Sequence, residues 1–307
     1  MRAAIITEPG VTPVVMEFPS PQAVPGAQLI DVRTTGLGGW DVLGAYRLGV
    51  QFPCVIRGEG VGFLADGRRV YFGERSVAPY GSWAEQTIVP EAEVWEVPDD
   101  IDDNTAIAMG IAGTGALIPL EGADIQPHET VLILGATGTL GQLALQFARY
   151  LGAAKVVAAG RNRETLERLK RRGMADEIVV LGGADDTAAH KAVAGEGYDV
   201  ILDGVCGQPL LDSLPAARAG SRILTIGTSA GRQIHLDMAH LLFKSLSTVG
   251  TGQRPAATRH QDWLRLLQIS RDISIELEYS QFDFADAAAA WQAQCDGVNK
   301  KIVATLR

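Results

Sequence analysis

One stretch constrains this chain more than any other. Residues 131–144 read Val-Leu-Ile-Leu-Gly-Ala-Thr-Gly-Thr-Leu-Gly-Gln-Leu-Ala, four apolar residues followed by glycines at 135, 138 and 141. The apolar run predicts a buried strand. Residues 140–151, with Leu143, Phe147 and Leu151 on one face, predict a helix. The first glycine lets the chain turn sharply, the second lets backbone approach a pyrophosphate, and the third lets helix and strand pack closely. Unpaired N–H groups at the helix start then face the anion. The glycine spacing alone is a weak signal; a complete strand–loop–helix–strand unit is the setting that gives it meaning. Here a second strand, 155–159, completes that unit. Gly135, Thr137, Gly138, Thr139 and Leu140 are therefore expected to hold a dinucleotide.

The second strand runs into Gly160-Arg161-Asn162-Arg163, and no acid occurs between Lys155 and Arg163. A site for NAD places a carboxylate here to bind the ribose 2′-hydroxyl, whereas a site for NADP supplies Arg instead. Arg161 and Arg163 read either as solvated cations at a helix start or as the fork that meets a 2′-phosphate. The missing acid favours the second reading, so NADP(H) is the expected cofactor.

Strands and helices keep alternating downstream: strands at 177–180, 200–202, 222–226 and 246–250, helices at 163–172, 185–194, 210–217 and 236–244. That alternation predicts an α/β fold with a doubly wound, parallel Rossmann sheet. The first hundred residues differ. Short β-like runs are broken by Pro19, Pro21 and Pro25 and by a hairpin signal at Asp66-Gly67. The tail predicts a helix at 263–269, a strand at 273–278, a helix at 284–295 and a strand at 302–306. The N-terminal unit lacks an obvious closing partner, so the tail is expected to return to it.

Composition narrows the partners. A formal charge of -9 argues against nucleic acid and anionic membranes. The longest apolar stretch, 106–120, is cut by Gly110, Gly113, Gly115 and Pro119, whereas a membrane span needs roughly 18 or more unbroken residues. Three scattered cysteines and no signal-like N-terminus point to a reducing, cytoplasmic setting. Metal is not expected. The first hundred residues hold one Cys and no His, and the five histidines, at 128, 190, 235, 240 and 260, form no ligand pair at helical spacing. No Tyr has Lys four residues on, which disfavours a short-chain dehydrogenase.

With these motifs in hand, the chain resembles the medium-chain dehydrogenase/reductase superfamily, and within it the zinc-free, zeta-crystallin-like quinone oxidoreductases. The resemblance runs over essentially the full length. It is carried by Met1-Arg2-Ala3-Ala4-Ile5, by Gly36-Leu37-Gly38-Gly39-Trp40-Asp41, by Gly58-Glu59-Gly60-Val61-Gly62, by Gly113-Thr114-Gly115-Ala116 and by Asn299-Lys300-Lys301-Ile302-Val303, besides the glycine loop. Zinc-dependent members place Cys where Gly38 stands and His where Gly58 stands. The resemblance thus implies a metal-free reductase. It implies a Rossmann NADP-binding domain, 118–258, inserted in a GroES-like β-rich substrate domain, 1–117 with 259–307, and a homodimer joined at the edge near Leu246 to Gly250.

It also implies site residues. Asp203-Gly204-Val205 and Ile226-Gly227-Thr228 would line the cofactor crevice, Thr114, Gly250 and Thr251 would approach the nicotinamide, and Asn299 would close on it. The expected reaction is hydride transfer from NADPH to a quinone or an α,β-unsaturated carbonyl, with fixed donors meeting the developing oxyanion. Tyr46 is the candidate donor, and a rim or packing role suits it equally. Trp40 is read as a core aromatic ahead of a substrate wall. Two alternatives stay open: a reductase of another carbonyl, and an NADP-binding sensor with little catalysis.

Overall fold

The computed structural model describes residues 1–43 and 50–306. The chain divides into two compact units: Met1–Ala112 with Pro255–Arg307, and Gly113–Arg254 between them in sequence.

The N-terminal stretch forms β1 (Arg2–Ile6), β2 (Val14–Glu17), β3 (Ala27–Leu37), α1 (Gly39–Leu43), β4 (Cys54–Val55) and β5 (Glu59–Phe63). It continues with β6 (Arg69–Phe72), β7 (Gln86–Pro90), β8 (Val94–Glu96) and α2 (Asp103–Ala108), and α3 (Ile111–Gly122) follows. β5 and β6 pair antiparallel across the Asp66–Gly67 turn, where Gly67 takes φ +87°. α2 starts where Asp102 accepts from the Thr105 amide, which satisfies one of the helix's orphan donors.

The inserted unit runs β9 (Thr130–Leu134), α4 (Thr139–Tyr150), β10 (Lys155–Gly160), α5 (Arg163–Arg171) and β11 (Glu177–Val180). It then runs α6 (Asp186–Ala194), β12 (Tyr198–Asp203), α7 (Gly207–Ser213), β13 (Ala217–Thr225) and β14 (Ser245–Thr248). Its sheet has the order β11-β10-β9-β12-β13-β14, and the pairings are parallel. This is the doubly wound Rossmann sheet that the alternation predicts. The winding reverses between β9 and β12, and the C-terminal ends of strands at such a switch point form a ligand crevice. Parallel strands are covered on both faces, so they read as unbroken apolar runs. Val131, Leu132, Ile133 and Leu134 are accordingly all buried.

The helix expected at 236–244 is not formed. Only a 3₁₀ turn, Met238–Leu241, appears there, and Phe243 takes a left-handed φ of +64°. The apolar residues of this stretch fall around a helix rather than along one stripe, so no single face could be buried. Met238, Leu242 and Phe243 stay exposed.

The tail forms α8 (Ala256–Asp272), β15 (Tyr279–Asp283), α9 (Ala287–Asp296) and β16 (Lys301–Thr305). β16 pairs antiparallel with β3 and parallel with β15, completing the sheet β15-β16-β3-β5-β6-β8. The strand expected at 273–278 begins instead at Tyr279, where β16 first supplies a partner, Tyr279 opposite Lys301.

A buried charged cluster ties this unit together. Lys301 Nζ donates to Glu59 Oε1 at 2.7 Å, and Tyr71 Oη and the Ile111 amide donate to Glu59 Oε2 at 2.7 and 2.9 Å. Lys301 and Glu59 are 1% and 2% exposed, so neither charge is solvated. Gly110 makes room: a Cβ there would stand 2.0 Å from Tyr71 Oη and 2.3 Å from Glu59 Oε2. Behind Tyr71, Trp263 stacks on its ring at 5.1 Å, and Trp95 and His260 extend the aromatic layer. Removing one partner of a buried ion pair leaves an uncompensated charge. Lys301→Met should therefore lower unfolding free energy by roughly 3–5 kcal/mol in denaturant titrations, and adding Glu59→Gln should recover much of the loss.

Candidate functional site

The glycine loop lies at the switch point of the inserted sheet. Gly135, at φ +81°, turns the chain out of β9, and its amide and that of Ala136 donate to Ala159 O at 3.0 Å, joining the loop to β10. Gly141 is pressed on the turn; a Cβ there would lie 2.3 Å from Gly135 O. Gly138 is the N-cap of α4 and offers no capping side chain, and a Cβ on it would meet only Gly135 O, at 3.7 Å. The first-turn amides of Thr139, Leu140 and Gly141 thus open on a side-chain-free cradle at the positive end of a helix twelve residues long. These features fit a pyrophosphate.

The neighbouring strand ends supply the rest. A Cβ on Gly160 would lie 3.0 Å from Thr137 Cγ2, so the end of β10 abuts the loop. Arg161, Asn162 and Arg163 are exposed beyond it. Asn162 Oδ1 accepts from the Thr165 amide at 3.0 Å, so that oxygen caps α5. Arg163 pairs loosely with Glu167 at 3.7 Å, and among the described residues Arg161 has no ion-pair partner.

At the end of β12, Asp203 Oδ1 accepts from the Val205 and Cys206 amides at 2.9 and 2.8 Å. Burial pushes the Asp203 carboxyl up, against the pull of those amides and of Thr225. This turn sets Val205 over the loop, 2.8 Å from where a Gly135 Cβ would stand. The Ile226 amide donates to Asp203 O, and Gly227 approaches Gly204 so closely that a Cβ would meet its oxygen at 2.1 Å. Thr228 is exposed beyond.

Val249 N bonds Thr225 O at 3.1 Å, which carries Gly250 and Thr251 past the end of β14. Thr114 lies on α3 next to Gly115, whose Cβ would meet Leu140 Cδ1 at 2.8 Å. The sequence-derived residues that follow β9, β10, β12, β13 and β14 therefore lie at the C-terminal end of the sheet, and Thr114 lies beside the α3 residue that approaches Leu140. Asn299 lies in the other unit, immediately before β16, at a left-handed φ of +58°. Tyr46 lies outside the described residues.

The β-rich unit has its own polar cluster at the segment that the resemblance singled out. Gly38 N donates to Asp41 Oδ2 at 2.8 Å, half of a capping box at the start of α1. Asp41 is 2% exposed, and among the described residues its Oδ1 has no hydrogen-bond partner. Burial pushes its carboxyl up to about 7, against the Gly38 amide; Glu74 adds to the rise and Lys301 opposes it. Glu74 is half-buried and its carboxyl is raised by burial, with Arg75, Arg57 and the Trp40 side chain pulling the other way. Trp40 is 45% exposed, which corrects the reading of it as a core aromatic: one residue before the buried Asp41, it lies on the outer side of the short helix α1.

Gly58 takes φ +40°, and a Cβ would strike Gly36 O and Ser82 Oγ at 2.6 Å, so no larger side chain fits without movement. Among the described residues no group of three or more His, Cys, Asp or Glu is arranged to hold a metal ion. Sequence reasoning gives Asp41, Glu59, Glu74 and Lys301 no role. Three of them stand in the quoted motifs, Asp41 after Gly38-Gly39-Trp40, Glu59 after Gly58 and Lys301 after Lys300, but the pairing of Glu59 with Lys301 spans 242 positions.

A parallel Rossmann sheet with a glycine-built phosphate cradle, inserted in a β-rich unit, defines a dinucleotide-dependent oxidoreductase architecture. A family model described as zinc-binding dehydrogenase matches residues 139–269, a stretch that excludes Gly38 and Gly58. Quinone oxidoreductase-like protein 2 of Rattus norvegicus is 29% identical over 91% of this chain and 81% of its own length. The quinone oxidoreductase of Thermus thermophilus, solved also with NADPH, is 27% identical over the whole of both chains, with a TM-score of 0.81. CurA of Vibrio vulnificus, solved with NADPH, shares the fold at a TM-score of 0.82 and 18% identity, over 100% of this chain and 99% of its own. The chain is thus similar, over nine-tenths of its length in sequence and over all of it in fold, to quinone oxidoreductase-like members of the medium-chain dehydrogenase/reductase superfamily, with their Rossmann and GroES-like folds.

The Asp41 carboxyl has a consequence for stability. The folded chain keeps a proton on it that the unfolded chain, with an ordinary value of 3.8, releases earlier. Stability should thus be full at low pH, fall as pH rises from about 4 to about 7, and level off above, a loss on the order of 4 kcal/mol. Asp41→Asn keeps a carbonyl acceptor for Gly38 N but cannot ionise. Its denaturation midpoint should lack this slope and exceed that of wild type at pH 8.

Proposed function

We propose that the chain is a zinc-independent, NADP(H)-dependent reductase of quinones or α,β-unsaturated carbonyls. The observation that carries the reading is the cradle at the switch point, followed at the next strand end by an exposed Arg161 where an NAD site has a carboxylate. The amides of Thr139, Leu140 and Gly141 would hold the pyrophosphate, with Gly135, Thr137 and Gly138 shaping the approach. Arg161 would take the 2′-phosphate as a forked donor, with Arg163 beside it. Gly160 and Asn162 would border the adenosine ribose. Val205, Ile226, Gly227 and Thr228 would wall the crevice, Thr114, Gly250 and Thr251 would orient the nicotinamide, and Asn299 is a further candidate contact.

When bound, the reduced cofactor supplies the hydride. The residues of the chain do the rest: they fix its position, keep water from the reacting carbon, and stabilise negative charge on the carbonyl oxygen with hydrogen-bond donors. Tyr46 is proposed as one such donor. The names of the relatives support a quinone as acceptor, and an enone presents the same electron-poor carbon conjugated to a carbonyl. Exhaustive chelation should leave turnover unchanged.

The exposed apolar residues Met238, Leu242, Phe243 and Leu246 beside the edge strand β14 support a homodimer through that edge. Phe243→Asp should shift the species seen by sedimentation towards the monomer.

Cofactor titration tests the central claim. NADPH should bind at least tenfold more tightly than NADH. Arg161→Ala should weaken NADPH by roughly 10–100-fold, the cost of a charge-assisted pair, and leave NADH within about twofold. Equal affinities for the two cofactors in wild type would remove the NADP assignment. Tight NADPH binding with no turnover of enones, quinones or simple aldehydes would replace the reductase with a binding protein.

A further inference from the structure

We propose that Asp203 is a positioning residue of the cofactor site: its buried carboxyl holds the turn after β12 as a fixed wall of the crevice, with Val205 pressed on the glycine loop. The inference rests on the dinucleotide reading above, and it names the side chain that sets one side of that site. Every residue it uses belongs to the inserted unit.

Asp203 ends β12, the strand beyond which the winding reverses, and it is fully buried. Its Oδ1 accepts from the Val205 and Cys206 amides, and its main-chain oxygen accepts from the Ile226 amide at 2.9 Å. One residue thus holds both the turn after β12 and the exit of β13. The turn is fastened on its other sides as well. Gly204 N donates to Leu134 O at 3.2 Å, which joins it to the end of β9. Ala230 N donates to Val205 O at 2.8 Å, which brings the loop after β13 back onto it. The side chain that this scaffold places is Val205, whose Cγ1 stands over the Gly135 turn.

An ordinary surface turn needs no such anchor. Thr225 faces Asp203 in the sheet register and its pull reaches the carboxyl, but neither the Thr225 hydroxyl nor Asp203 Oδ2 has a hydrogen-bond partner among the described residues. Burying a polar oxygen unpaired is costly. What the carboxyl sustains at that cost is an unfavourable backbone. Cys206 takes φ +59° and ψ -160°, a region that glycine occupies almost alone. Gly207 follows at φ +66°, and a Cβ on it would lie 2.8 Å from Ala230 O. Two successive residues at positive φ turn the chain into α7, and the Cys206 amide is kept in place by Asp203.

A wall held by the chain's own bonds is ordered in advance, so binding a nucleotide does not carry the cost of ordering it. Three substitutions follow from this. In Asp203→Ala the Val205 and Cys206 amides lose their acceptor, the turn relaxes and Val205 leaves the glycine loop. Affinity then falls with the fraction of molecules whose wall is in place. In Asp203→Asn the side-chain oxygen still accepts from both amides, and the new amide group can donate to the Thr225 hydroxyl. Gly207→Ala leaves Asp203 whole but drives a Cβ against Ala230 O, which prises the loop after β13 from the turn.

Amide hydrogen exchange in the cofactor-free protein, read residue by residue by NMR, and NADPH titration test the assignment together. In wild type the amides of Val205, Cys206 and Ala230 should exchange slowly. Asp203→Ala should speed them roughly tenfold or more while β10 and β11 keep their protection, the mark of a local opening rather than a general loosening. It should weaken NADPH by roughly 10–100-fold, the range for hydrogen bonds to a charged group. Asp203→Asn should return both readouts to within about threefold of wild type. Gly207→Ala should speed exchange at Ala230 and weaken NADPH with Asp203 intact, which decides the matter even if Asp203→Ala does not fold. Wild-type exchange or wild-type NADPH affinity in Asp203→Ala, or an Asp203→Asn that shares its full loss, would overturn the positioning role and leave the dinucleotide reading standing. A wild-type protein that binds neither NADPH nor NADH would overturn that reading, and the role with it.

Discussion

The bond between Lys301 and Glu59 is the contact on which the β-rich unit depends. A buried ammonium and a buried carboxylate are each costly to desolvate, and each is tolerated only because the other is in place. Tyr71 and the Ile111 amide donate to the other oxygen of the carboxylate, so β5, β6, the start of α3 and β16 meet on one side chain. Two glycines, Gly36 and Gly110, give that side chain space, and an aromatic layer from β6, β8 and α8 seals it. The same ammonium also acts on Asp41 electrostatically, opposing the rise that burial causes.

What can be read from the residues follows from distance along the chain. The glycine loop, its strand and its helix are legible because each glycine acts within a few residues: Gly135 turns, Gly138 leaves a cap open, and Gly141 packs on Gly135. The alternation up to Thr225 is legible because inner parallel strands such as β9 and β12 are buried on both faces and so read as apolar runs. The failures share a cause. Residues 236–244 have the composition of a helix but no face that could be buried, and residues 273–278 have the composition of a strand but no partner before Lys301. Composition reports propensity; tertiary pairing decides.

The site divides in the same way. Arg161 can be recognised by what its neighbours lack, since the absence of an acid from 155 to 163 is visible in one dimension. Asp41 cannot. Its raised affinity for a proton comes from burial, with Glu74 and Glu59 adding to it and Lys301 opposing it; these groups are all distant in sequence and leave no local signature. Trp40 misleads because an aromatic next to a buried acid resembles core, whereas a helix as short as α1 turns adjacent residues to different sides.

The order of segments in the chain bears on how it is made. β3 and β5 emerge early, yet the neighbour that covers the far end of β3, the strand β16, is synthesised only after the whole inserted unit. Domains generally fold as units as they emerge, and the inserted unit has all its strands by Thr248. On the ribosome the inserted unit can thus be finished while β3 and β5 still wait, with an open sheet edge and a Glu59 without its ammonium, for β16 to emerge.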